Sequence, residues 1–252
     1  MNSPLITQYK NFTIHQFEVL DSTNDLAKNL ANNRQIFDRE IIVANQQNKG
    51  RGRLNRQWVS PQGNLYFSLV LQPKIAIEKI PQMSLVVIVI LNLAVQKIAK
   101  NFQLKIENKW PNDLLINNKK VAGILLESIN YNNICEYLII GIGININSFP
   151  PDLSNIADKL QNYFPTITAE EMLEKFLDEF DILYKNWRDF GFKNFRQLWR
   201  QNAYNLNQEI TIKPNNNETR GIFKDIDDEG NLLLEINQKI HKFNCGDVII
   251  NG

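Results

Sequence analysis

The chain is poor in several things, and each shortage narrows what it can be. It has two cysteines in 252 residues, Cys135 and Cys245. They lie far apart without metal-ligand spacing and read as two buried free thiols in a reducing compartment. Neither sign of charge is in excess: 28 Lys+Arg against 27 Asp+Glu leave a net +1. A protein living on nonspecific nucleic-acid binding carries a basic surplus, so these cations must be used locally. The opening "MNSPLITQYKNF" has no basic stretch followed by an apolar run, and so no secretory leader is expected. The most apolar stretch, "MSLVVIVILNLAV" at 83–95, is too short to span a bilayer and contains Asn92, which points to a buried core helix. No G-x-x-x-x-G-K-[ST] occurs, which excludes a P-loop. "GIGIN" at 141–145 is not G-x-G-x-x-G and does not open a helix, so a dinucleotide fold is not supported. There are no internal repeats, and no stretch is apolar-poor enough to be disordered.

What is present is a core. Hydrophobic residues make up 43% of the chain, enough for one large domain or a domain with a small appendage. Alternation predicts strands over 12–20, 39–47, 64–73, 104–110 and 134–147. "DLLINNKKVAGILLE" (113–127) has two apolar runs around Asn117-Asn118, a pair that tolerates positive φ and predicts a tight hairpin. Helices are predicted after "DSTN" (21–24), over 82–100, over 168–190 with Thr168 and Glu171 as a capping box, and over 194–203. After residue 204 short strands alternate with turns, which predicts a small β-barrel packed on the rest. The layout is α+β: a mixed β-sheet with helices in domain 1–204, and a C-terminal barrel at 205–252.

Charge is concentrated in one place, "NKGRGRLNRQW" at 48–58. Gly50 and Gly52 let a backbone approach a ligand closely. Arg51, Arg53 and Arg56 present planar donor forks for phosphate or carboxylate oxygens, and Trp58 offers a flat face for a base. In "KWPNDLL" (109–115), Lys109 sits at a strand end where it could point at phosphate, beside Asn112. Asp113 is a candidate Mg²⁺ ligand, because that ion takes one or two carboxylates plus substrate oxygens. Lys120 opens an otherwise apolar strand in which Gly123 leaves a gap. Gly141 and Gly143 leave one strand face bare, with Asn145 on the same face. "DSTN" supplies two hydroxyls and an amide. Each feature alone has an ordinary structural explanation: a solvated turn, a strand end, close packing or an N-cap.

Taken in order, these blocks resemble the catalytic domain of biotin–protein ligases. The matching residues are Ser22-Thr23-Asn24, Gln46, Gly50 to Arg53, Arg56, Trp58, Lys109 to Asp113, Lys120, Ala122-Gly123, Gly141, Gly143 and Asn145. The resemblance implies a class II aminoacyl-tRNA-synthetase-like catalytic fold, with an SH3-like barrel at the C-terminus. It implies activation of biotin by Mg·ATP to biotinyl-5′-AMP, then transfer to a lysine of a biotin carboxyl carrier protein. Lys120, Arg51, Arg53 and Lys109 would be catalytic. Ser22, Thr23, Gln46, Gly50, Gly123 and Gly141 would join Arg51, Arg53 and Lys120 around biotin. Arg56, Trp58, Asn112 and Asn145, with Arg51, Lys109 and Lys120, would hold the nucleotide, and Asp113 the metal. The family loop usually has Gly where Asn55 stands here, and Asn can adopt the same left-handed conformation. About twenty residues precede the Ser-Thr-Asn block, so a monofunctional cytoplasmic ligase is expected, without DNA or membrane partners. Pairing of exposed strand edges into a homodimer stays open. The alternatives are a lipoate–protein ligase and a non-catalytic module that binds biotinyl-AMP.

Overall fold

The computed structural model describes residues 3–100, 102–214 and 218–249. In chain order the elements are β1 (Leu5–Tyr9), β2 (Phe12–Leu20), α1 (Thr23–Asn32), β3 (Glu40–Gln47), β4 (Leu65–Leu71), β5 (Ile75–Ala76) and α2 (Ile80–Ile98). There follow β6 (Ile106–Lys109), β7 (Asp113–Ile116), β8 (Lys119–Tyr131), β9 (Ile134–Ile144), α3 (Ala169–Phe190), α4 (Lys193–Gln201), β10 (Glu209–Ile212), β11 (Thr219–Ile226), β12 (Leu232–Ile236) and β13 (Lys239–Phe243). The chain forms two compact units, residues 1–80 with 121–174, and residues 81–120 with 175–252.

The first unit is built on a mixed sheet in the order β1-β2-β3-β4-β9-β8, with β5 also pairing β9. β2 and β3 run parallel and the other pairs antiparallel. All seven residues of β4, LYFSLVL, are buried, as a central strand covered on both faces requires. Helix α1 returns the chain from β2 to β3. It lays Ala27 and Ala31 on Ile42, Ala44, Val70 and Ile139 of the sheet. Alanines on that face let the helix come close to the sheet. Sheet geometry, not local pattern, explains β1: its residues are mostly exposed, and it is held by pairing with β2. Tight turns are made by asparagine. Asn132 and Asn133 join β8 to β9 with φ of 49° and 61°, values that suit a two-residue hairpin loop.

In the second unit α2 buries Met83, every residue from Leu85 to Asn92, and then Ala94 and Val95. With its preceding turn it spans Ile77–Ile98 and is long and apolar enough to cross a membrane. The sequence stretch 83–95 therefore understates its length. Its burial in protein nonetheless marks a core helix. Asn92 Nδ2 donates to Asn108 Oδ1 at 2.8 Å and its Oδ1 accepts from Gln96 Nε2 at 2.6 Å, so the polar group inside the core is paired. The C-terminal strands form a four-stranded antiparallel sheet, β10-β11-β12-β13, and Val248 returns to pair with Ile212. Its Phe223 meets the edge of Trp199 on α4, with ring centroids 6.0 Å apart. Arg196 binds Asp225 and Asp228 at 2.8 and 2.9 Å. By its contacts this sheet belongs with α2 and α4. Thr168 caps α3 by accepting from the Glu171 N–H at 3.1 Å. Cys135 is buried as expected, but Cys245 is exposed, because it lies in the turn after β13 and not in a strand.

Candidate active site

In the first unit, the N-terminus of α1, the end of β3, the Gly/Arg loop and β9 converge. Ser22 is the N-cap, its Oγ accepting from the Asp25 N–H at 3.3 Å. This holds Thr23 and Asn24 in the first turn, both buried. Thr23 donates from its backbone N–H to Gln47 Oε1 at 2.8 Å. The sequence points to Gln46 for this position; the structure puts its neighbour Gln47 on Thr23. Gln47 also donates through Nε2 to Ser60 Oγ at 3.0 Å, and Ser60 donates to the Trp58 carbonyl at 2.8 Å. One residue decides which side of a strand a side chain serves, and two adjacent glutamines look alike in sequence.

The glycines are explained by what stands over them. A Cβ on Gly141 would collide with Asn24 Oδ1, and one on Gly143 would lie 2.5 Å from Trp58 Nε1. Gly123 sits directly opposite Gly143 across the β8–β9 pair, and Gly141 opposite Leu125. The bare strip therefore accommodates Asn24 and the Trp58 indole. Asn145 is buried and donates through Nδ2 to the Asp158 carbonyl at 3.0 Å. Nothing in the sequence marks Asn64. Its Oδ1 accepts from the backbone N–H groups of Ile146, Asn147 and Ser148 at 2.9, 2.9 and 3.1 Å, pinning the segment after β9.

The cationic loop is a small hairpin. Gly52 N–H donates to Arg56 O at 2.7 Å and Trp58 N–H to Gly50 O at 2.9 Å. Gly50 has no room for a side chain, since a Cβ would collide with Trp58 O and Ser60 Oγ. Asn55 has a φ of 57° and Leu54 one of 54°, so Asn55 does adopt the left-handed conformation. Arg51 pairs with Asp25 and, at 3.3 Å, with Glu127. Its Nε–H is buried and has no acceptor among the described residues, a donor suited to a ligand oxygen. Arg53 is half-buried and Arg56 exposed. Glu127 also accepts from Asn24 Nδ2 at 2.9 Å and Lys28 Nζ at 3.1 Å. Burial pushes its carboxyl up, but Asn24, Lys28 and Arg51 outweigh this and hold it below the ordinary range.

In the second unit Lys109 and Asp113 stand directly opposite each other at the closed end of the β6–β7 hairpin. The turn between them is Trp110-Pro111-Asn112. Asp113 Oδ2 takes Lys109 Nζ at 2.8 Å and Oδ1 takes Lys120 Nζ at 2.6 Å. Asp113 and Lys109 are buried, with Lys120 more open. Burial pushes the Asp113 carboxyl up, yet the two ammonium groups hold it well below the carboxylate range. Trp110 Nε1 donates to the Gly230 carbonyl at 3.1 Å, tying this turn to the C-terminal sheet. Asn112 is buried in the same turn. As it stands, both Asp113 oxygens face lysine ammonium groups. The reason is tertiary: the register of the hairpin and the start of β8 bring two lysines to one carboxylate.

Residues 16–145 match the biotin/lipoate A/B protein ligase family. The chain belongs to that family. Residues 206–250 match the biotin protein ligase C-terminal domain. The chain is similar to the bifunctional ligase/repressor BirA of Bacillus subtilis, 37% identical over 92% of this chain and 72% of that protein. It is 33% identical to a biotin–[acetyl-CoA-carboxylase] ligase of Paracoccus denitrificans, over 85% of this chain and 90% of the relative. Among solved structures it resembles a biotin protein ligase from Aquifex aeolicus in complex with biotin and ATP, with a TM-score of 0.82 and 27% identity over 96% of this chain and 98% of that one. The ligase family thus spans the Ser-Thr-Asn block, the arginine loop, the Lys109–Asp113 turn and the glycine strip.

Proposed function

We propose that this chain is a biotin–protein ligase. The observation that carries this reading is the arginine loop seated beside the polar N-terminus of α1, in a family whose solved member from Aquifex aeolicus is bound to biotin and ATP. In the first half-reaction the biotin carboxylate attacks the α-phosphorus of ATP, forming the acyl–phosphate bond of biotinyl-5′-AMP as pyrophosphate leaves. Two anionic partners must meet, so catalysis needs positive charge where negative charge builds. Lys120 serves the carboxylate and α-phosphate, Arg53 the carboxylate end, and Arg51, Arg56 and Lys109 the departing phosphates. Asp113 aligns Lys109 and Lys120, and magnesium would enter with ATP. Ser22, Thr23 and Gln47 address the polar ureido ring; Trp58 and Asn145 belong to the nucleotide side. In the second half-reaction the amine of an acceptor lysine attacks the anhydride carbonyl, giving an amide and AMP. The acceptor is a biotin carboxyl carrier domain.

Residues 1–204 act as the catalytic domain and 205–252 as its appendage in this reading. ATP and two free thiols fit a cytoplasmic setting. The balanced charge gives no footprint for DNA. Exchange of labelled pyrophosphate into ATP tests the proposal. Exchange should require biotin and collapse in Lys120→Ala. Exchange with lipoate in place of biotin would move the chain to the other branch of its family, and exchange with neither acid would refute the enzyme reading.

A further inference from the structure

The biotin-side residues and the arginine loop are joined by one continuous polar network inside the first unit. Thr23 Oγ1 lies 3.2 Å from Gln47 Oε1 and 2.8 Å from Ser68 Oγ. Ser68 Oγ lies 2.6 Å from Asn24 Oδ1, and Asn24 Nδ2 donates to Glu127 Oε2 at 2.9 Å. Arg51 Nη2 donates to the same oxygen at 3.3 Å. Gln47 closes the circuit at the other end of the loop, through Ser60 to the Trp58 carbonyl. Glu127 therefore reaches the buried hydroxyls through Asn24 and the loop cation directly. Neither the motifs of the sequence nor the adenylation chemistry assigns it a role.

Counting protons shows what Glu127 controls. Two hydroxyl protons, on Thr23 and Ser68, serve three oxygen–oxygen contacts. A carboxylate only accepts, so Glu127 compels Asn24 to turn its NH₂ outward to it and its carbonyl toward Ser68. Asn24 Oδ1 can then only accept, and at 2.6 Å it takes the single Ser68 proton. Thr23 is left to donate to Ser68 or Gln47, and its oxygen keeps acceptor capacity. A site polarised this way favours a ligand that presents N–H donors, as the ureido ring of biotin does. The same carboxylate, half-buried, shares Arg51 with Asp25 and helps to hold it by charge.

We propose that Glu127 is a positioning residue with two tasks: it sets the hydrogen-bond polarity of the Thr23–Ser68–Asn24 group and anchors the arginine loop through Arg51. Its meaning for biotin rests on the ligase reading; its hold on the loop does not. Two variants separate the tasks. Glu127→Met removes both the acceptor and the charge at similar size. Glu127→Gln restores an acceptor for Asn24 but no charge for Arg51. Loss of a charged hydrogen-bond partner should raise the biotin KM in pyrophosphate exchange by about tenfold or more in Glu127→Met. The ATP KM should rise less than the biotin KM, through Arg51, and Glu127→Gln should recover most of the biotin KM but not the ATP effect. Limited trypsin digestion, read by mass spectrometry after Arg51, Arg53 and Arg56, should show faster loop cleavage in both variants. Lys28→Ala, which leaves Glu127 and its contacts to Asn24 and Arg51, should behave as wild type in both assays. A purely structural role would instead shift both KM values together and would not be rescued by Gln. Wild-type biotin KM and wild-type loop cleavage in Glu127→Met would overturn the proposal. If Glu127→Met does not fold, unchanged loop cleavage in Glu127→Gln overturns the anchoring. If the wild type shows no biotin-dependent exchange, it is the ligase reading that fails, and loop cleavage alone decides for or against Glu127.

Discussion

Replacing Asp113 by Asn should cost more stability than any surface change in this chain. The side chain is buried, and its two oxygens face Lys109 and Lys120 at 2.8 and 2.6 Å. Each attraction is on the order of 4 kcal/mol at an effective dielectric constant near 20, partly offset by desolvation of the charges. Removing the carboxylate leaves two ammonium groups facing each other, one of them buried. Breaking a buried pair in this way costs about 3–5 kcal/mol. For a chain of this size that is a fall in Tm of about 6–20 °C. Urea unfolding at pH 7 measures it. The pH dependence gives a second check. Asp113 has its carboxyl held well below the ordinary range in the folded state. Its stabilisation is therefore full above the unfolded value, about 3.9, and fades as the pH falls from there toward the folded value. The gap between wild type and Asp113→Asn should narrow on acidification and stay constant above about pH 5. A double change, Lys109→Met with Asp113→Leu, should recover much of the loss by removing the buried charges together. A loss under about 1 kcal/mol in Asp113→Asn would refute the view that the carboxylate holds this cluster together.

Three further outcomes follow from the geometry. Gly143→Ala should push the Trp58 indole off β9, since the new Cβ would lie 2.5 Å from Nε1; a shifted tryptophan emission and a loss of about 1–3 kcal/mol are expected, and an unchanged spectrum would contradict the packing. Asn55→Gly should leave loop cleavage by trypsin near wild type, whereas Asn55→Val should raise it about 5–30-fold, because a β-branched residue pays about 1–2 kcal/mol for positive φ; equal rates in the two variants would argue that φ at 55 is not left-handed. Glu107 is buried with Lys105 at 2.8 Å, and burial pushes its carboxyl above the ordinary range. The folded state therefore keeps a proton that the unfolded chain has lost, so Glu107 detracts from stability as the pH rises through and above the unfolded value. Glu107→Gln should gain on wild type between mildly acidic and neutral pH in urea midpoints, and a constant difference would exclude the effect.

Much of the fold was legible because local pattern and burial agree. The apolar run of β4, the Thr168 cap and the Asn117-Asn118 turn, with φ of 49° and 65°, follow from residue type and spacing. The exposed β1 was not legible, since its pairing with β2 comes from outside the strand. The C-terminal sheet was visible, but not its membership in one compact unit with residues 81–120. Among site residues, the loop, the Lys109–Asp113 turn and the glycine strip stood out because cations and glycines are conspicuous. Gln47, Ser68 and Glu127 did not, because a polar residue at a strand position gives no local sign of its partner across the sheet.

Residue chemistry alone, then, determined the α+β class, the position of the turns, the cationic loop and the likeness to the ligase family. Those properties depend on local spacing and on the order of the blocks along the chain, which a sequence records directly. Only the tertiary structure decided that Asp113 answers two lysines, that Gln47 serves Thr23, and that Glu127 faces both Asn24 and Arg51. Those pairings join residues up to 103 positions apart. They are set by strand register, where a step of one residue turns a side chain to the opposite face.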